Sequence, residues 1–202
     1  MAYEPWKGAH RGSTGRRELE DLLVSFLVLV LLFSNFDPYA VPYSVVAVLT
    51  AFVFHELAHR WVARRYGYRA YYKRWDTGIL LALLVGITTR LLTGTVWIFA
   101  ALGAVQVYAP YAYDERETFG KIALAGPLVN IAVGAAALVT LRAVIPFTPL
   151  WWVVETTATV NLWLAFFNLL PFPPLDGSKV VRWNAGVWAV SIGVSYLLFR
   201  LL

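Results

Sequence analysis

The chain has 202 residues, 59% of them hydrophobic and only 14% charged, against about 25% charged in a soluble globular domain. Apolar runs recur from Leu19 to the C-terminus, so composition predicts an all-α polytopic membrane protein of one helical domain rather than a soluble one. The net charge of +5 does not imply a nucleic-acid partner: the basic residues gather at the ends of apolar runs, as cytoplasmic loops do, and the absence of cysteine excludes disulfides and thiolate metal sites.

Residues 1–18 are polar and basic, with no short apolar core leading to a small-residue cleavage site. They read as a flexible tail at the membrane surface, not as a signal peptide. Residues 19–202 form the membrane domain. Its candidate spans are Leu19–Phe36, Val41–Tyr66, Gly78–Leu92, Phe119–Val144, Leu150–Leu170 and Val180–Leu202. The third is short and polar in places, with Gly86, Thr88, Thr89 and Arg90. The stretch after it, "GTVWIFAALGAVQVYAP", is rich in β-branched and aromatic residues and predicts a strand or hairpin.

The second span holds a contradiction. His55, Glu56, His59 and Arg60 sit in or at the end of an apolar run, where ionisable groups are costly and need partners. His55 and His59, four residues apart, share one face of a helix. Glu56 is turned about a quarter of the way round from His55, close enough to meet a metal-bound water without ligating the metal. His-Glu-x-x-His on a helix is a zinc-protease pattern in which Glu is the general base. A His₂-carboxylate site could also hold iron, and the Glu-bearing motif favours zinc.

Two histidines leave such a site one protein ligand short. The remaining histidine, His10, would serve only if the tail folded back. Asp76 and Glu155 are expected at interfaces. Asp176 follows a span and the helix-breaking Pro171, Pro173 and Pro174, and irregular backbone near membrane depth belongs in a protein interior or a wet cavity. Asp176 is therefore the expected third ligand, for one Zn²⁺ per chain.

With "HELAH" at 55–59, "AGPLVN" at 125–130 and "NLLPFPPLDG" at 168–177, the chain resembles the site-2 protease family of intramembrane zinc metalloproteases. The resemblance implies His55, His59 and Asp176 on zinc, Glu56 in catalysis, and cleavage of the transmembrane segments of other membrane proteins, often to release a membrane-held regulator. Asn168 either holds substrate backbone or the developing oxyanion near zinc, or satisfies carbonyls freed by the prolines; the resemblance favours the former. Asn130 is a polar partner to the active-site helix or interhelical glue. Gly126 and Pro127 are expected to permit close helix approach or a kink. Two other readings remain: a catalytically silent metal-binding scaffold, and a metal transporter.

Charge places the N-terminus in the cytoplasm and the histidines toward the cytoplasmic side. For Asp176 to reach them, the second span and Leu150–Leu170 must run parallel. The segment at about 78–110 must then return to the side it left, as a re-entrant helix–hairpin element between the second and third full spans. Of about five to six transmembrane helices, five cross fully, and the C-terminus lies outside. An edge of the strand-like stretch could receive an unwound substrate by strand addition.

Overall fold

The structure, a computed structural model, describes residues 13–98, 102–108 and 115–202. Residues 1–12, His10 among them, lie outside the described residues. The first helix, α1 (Ser13–Phe33), begins six residues before the expected tail ends. Its opening turns are charged, with Arg16 and Glu20 paired at 3.2 Å. Glu18 points inward instead: its Oε1 accepts from Arg60 Nη1 and from the Tyr72 backbone N–H, both at 3.0 Å. Further along, Ser25, Leu29 and Leu32 recur at helical spacing and bury one face. Removing Glu18 leaves Arg60 and a strand N–H without their acceptor. Glu18→Ala is expected to lower stability by about 1.5–3 kcal/mol, read from unfolding in mild detergent, whereas Arg16→Ala at the exposed pair leaves it nearly unchanged.

After a reversal at Asn35 and Phe36, both at φ 56, α2 (Val41–Val48) opens with Pro42 in its first turn, where a missing N–H costs little. A single π-helical turn, Leu49–Val53, joins it to α3 (Phe54–Arg65). Thr50 in that turn contacts the Val46 and Ala47 carbonyls, at 3.2 and 2.9 Å, and accepts from Asn161 Nδ2 at 2.9 Å. Gly67 at φ 78 turns the chain out of α3 and into β1 (Arg69–Arg74).

β1 pairs antiparallel with β2 (Gly103–Tyr108), Arg69 opposite Tyr108 and Arg74 opposite Gly103. The expected strand is thus present, but its partner is the segment that charge alone marked as a basic loop. Alternation identifies β1 in retrospect: Ala70 and Tyr72 are buried while Arg69 and Lys73 are exposed. Burial pushes the Tyr72 phenol well above its ordinary pKa, and its hydroxyl meets Ser25 Oγ at 2.9 Å.

Between the strands lies α4 (Asp76–Thr93), whose 18 residues make it a full-length apolar helix, longer than expected of the third candidate. It starts where the Trp75 N–H donates to the Leu102 carbonyl at 2.8 Å. It ends beside the turn after α1, where Asn35 Oδ1 accepts from the Val96 N–H at 2.8 Å. The chain therefore travels out along α4, beside α1, and is back at the sheet by Leu102. Pro110, the expected end of this element, lies outside the described residues.

Three helices form the centre: α3, α5 (Glu115–Leu141) and α6 (Pro149–Asn168). Leu124 packs with Leu169, and Ala137 and Leu138 pack with Ala158, so α5 and α6 are antiparallel. Thr50 meets Asn161 and His55 meets Asp176, so the helix of the histidines runs parallel to α6. The last candidate span is corrected: Asn184, at φ −151 and ψ 106, divides it into α7 (Gly177–Trp183) and α8 (Ala185–Phe199). The Asn184 side chain caps α8 by accepting from the Val187 N–H at 3.0 Å. Val41–Arg65, Asp76–Thr93 and Arg116–Leu141 are each long and apolar enough to cross a membrane. The protein is an all-α membrane protein, with one small two-stranded sheet among the described residues.

Candidate metal centre

His55 and His59 lie one helical turn apart on α3, their rings edge to face with centroids 4.5 Å apart. Their Nε2 atoms are separated by 2.9 Å. Asp176 arrives from the far end of the chain. Pro171, Pro173 and Pro174 cannot continue α6, and the turns they occupy deliver Asp176 to the N-cap position of α7. Its Oδ2 lies 3.2 Å from His55 Nε2 and 3.1 Å from His59 Nε2.

These three atoms form a nearly equilateral triangle. Tetrahedral zinc with ligands at about 2.0–2.2 Å places neighbouring ligand atoms about 3.3–3.5 Å apart, so the triangle fits zinc to within a few tenths of an ångström. The tautomer fits as well. His59 Nδ1 lies 2.7 Å from the Ile122 carbonyl, which can only accept, so Nδ1 carries the proton and the Nε2 lone pair faces the triangle. Among the described residues, these three make up the cluster able to hold a metal ion.

Helix α5 crosses this face at Gly126. A Cβ there would stand 2.5 Å from His59 Nε2 and 2.6 Å from His55 Nε2. Glycine is thus the residue that leaves room for the ligand atoms. Four residues on, Asn130 is fully buried and its side chain interacts with the His55 ring. Neither of its polar atoms, nor His55 Nδ1, completes a hydrogen bond of ordinary geometry among the described residues.

Glu56 is 9% exposed, and its Oε2 has no hydrogen-bond partner among the described residues. It borders the same cavity of about 760 Å³ as the three ligands, with β2 forming one wall and Pro173 to Lys179 another. Asn168 also lines this cavity, yet its Nδ2 donates to the Leu164 carbonyl one turn back at 3.0 Å. The structure therefore gathers His55, His59, Asp176 and Glu56 at one point, sets Asn168 in the wall and Asn130 behind a histidine. The Ile122 carbonyl is invisible in the sequence, because a backbone acceptor has no residue signature. Asp76, set aside as a ligand, is exposed and pairs with Arg74 at 2.7 Å.

Two imidazoles and a carboxylate thus converge in a membrane protein as a cluster able to hold a metal ion, with a second buried carboxylate beside them. The chain is 39% identical over 191 residues to the protein named "Putative zinc metalloprotease MJ0611" of Methanocaldococcus jannaschii, covering 92% of this chain and 95% of that one. It is 30% identical over 167 residues to "Putative zinc metalloprotease YwhC" of Bacillus subtilis, covering 70% of this chain and 68% of that relative. With "Putative zinc metalloprotease Rip3" of Mycobacterium tuberculosis it shares 35% identity over 144 residues, which is 68% of this chain but 29% of the longer relative. The chain belongs to the zinc metalloprotease family of these proteins, in agreement with the site-2 protease resemblance of its motifs. No family model matches the chain, and no solved structure matches it.

Proposed function

We propose that this protein is an intramembrane endopeptidase that hydrolyses peptide bonds in or near transmembrane segments of other membrane proteins. The carrying observation is the triangle of His55, His59 and Asp176 with the buried carboxylate of Glu56 beside it, its Oε2 unpartnered among the described residues, all bordering one cavity. His55, His59 and Asp176 would hold one zinc ion per chain, which would supply Lewis acidity to water and to the scissile carbonyl. Glu56 accepts the proton of the attacking water and returns it to the departing amine nitrogen. Asn130 orients the His55 ring, as residues behind a ligand do. Asn168, held by its Nδ2, has Oδ1 left to accept from substrate backbone N–H groups.

A peptide bond inside a helix is shielded, so a substrate must unwind before it reacts. The freed N–H and C=O groups then need partners away from water. β2, hydrogen-bonded along one side to β1 and lining the cavity on Glu56's side, offers the unwound segment a strand edge. The protein is multi-pass, with its N-terminus in the cytoplasm and the site nearer that side. Its place in a cell is in regulated intramembrane proteolysis, freeing a domain held at the bilayer.

The test is hydrolysis of a single-span substrate in proteoliposomes, before and after metal removal. Stripping the ion is expected to stop cleavage, and one equivalent of zinc is expected to restore it. Cleavage that survives complete chelation, with no metal left on the protein, sinks the reading.

A further inference from the structure

Hydrolysis uses the floor of the cavity but not its rim. The rim carries Lys73 from β1, and Lys179 and Arg182 three residues apart on α7. All three side chains are exposed. Arg74 lies there too, but Asp76 holds it at 2.7 Å and Asp21 at 3.5 Å. Lys179 reaches Asp176 Oδ1 only at 3.5 Å. Lys73 and Arg182 form no ion pair among the described residues, and the carboxylates among those lining the cavity are Glu56 and Asp176 of the metal centre itself.

Cations at a membrane edge ordinarily set orientation. These three differ in placement, because they border one concave space whose floor is the reactive centre. A concave site edged by one sign of charge attracts the opposite sign. We propose that Lys73, Lys179 and Arg182 form a carboxylate-binding subsite that selects substrate segments carrying Asp or Glu beside the scissile bond. This rests on the protease reading above. Lys179 is about 4.5 Å and Arg182 about 9 Å along the helix from Asp176. An extended substrate advances about 3.3 Å per residue, so the selected acid falls roughly one to three residues from the bond that is cut.

The experiment uses the full chain in nanodiscs of zwitterionic lipid and one transmembrane substrate with Glu, Gln or Lys at those flanking positions. Exposed charge pairs are individually weak, so three together are expected to favour Glu over Gln by about tenfold in kcat/KM at low salt. The preference collapses near 1 M salt, where screening acts within about 3 Å. In Lys179→Gln/Arg182→Gln the Glu-to-Gln ratio falls toward one, and in Arg182→Glu the Lys substrate gains. Zinc is quantified in every variant. If the Lys179 change releases it, Arg182→Gln and Lys73→Gln, which do not touch Asp176, carry the comparison.

Binding of the same three substrates to the Glu56→Gln protein separates the two ideas. Acid-selective binding without any cleavage by wild type keeps the subsite and defeats the protease reading. Equal cleavage or equal binding of the Glu and Gln substrates at low salt overturns the subsite. So does capture of anionic lipid by these residues with no peptide preference.

Discussion

Glu56→Gln is expected to abolish cleavage while the protein keeps its zinc. The amide is nearly isosteric with the carboxylate, so the helix, the cavity and the three ligand atoms stay in place. What is lost is a group that can take a proton from water and give it to an amine. General acid–base groups contribute about 10²–10⁴ in rate, equivalent to roughly 3–5 kcal/mol of barrier, and kcat/KM should fall by that much. Metal content measured on the same preparation decides the meaning. Loss of both zinc and activity would recast Glu56 as a structural support of the ligands, and unchanged cleavage would remove it from the mechanism.

Gly126→Ala should be as damaging by another route. The new methyl group would lie 2.5–2.6 Å from both histidine Nε2 atoms, inside van der Waals contact and on the side where α5 meets the ligands. Either α5 retreats or the imidazoles rotate, and neither preserves the triangle. Zinc affinity and activity are both expected to fall by at least about a hundredfold, at the upper end of what disturbing a ligand's support costs. Gly134→Ala on the same helix is the control. Its Cβ would meet Leu162 Cγ at 2.5 Å and Cδ2 at 2.6 Å, in the packing between α5 and α6 and away from the histidines, so it should cost stability and leave zinc in place. If Gly126→Ala binds zinc normally, the motif glycine serves helix packing alone.

The gathering of His55, Glu56, His59 and Asp176 is legible in the sequence because the cluster is local on one side and proline-marked on the other. His55 and His59 at helical spacing with Glu56 beside them admit few other purposes in an apolar run. Asp176 stood out because three prolines forced irregular backbone just before it. The less legible parts depend on tertiary partners. β1 reads as a basic loop until β2 is laid against it, since its alternation covers only six residues and its charges satisfy an orientation rule equally well. The π turn at Leu49–Val53 has no composition of its own. The break at Asn184 hides in a run apolar enough to pass for one helix, and a single capping side chain decides it. The role of Gly126 could be guessed only as close approach. That the approach is to the ligand atoms themselves required the packing of α5 on α3.

The two halves of the metal centre are remote along the chain: His55 and Asp176 are 121 residues apart. An ion held by both acts as a cross-link, tying the α3 helix to the proline turn across most of the domain. Closing a loop of that length once, in the native state, gives the bound ion leverage over folding as well as over hydrolysis. Catalyst and clasp are then the same atom, and scarcity of zinc would loosen the architecture at the place where it silences the chemistry.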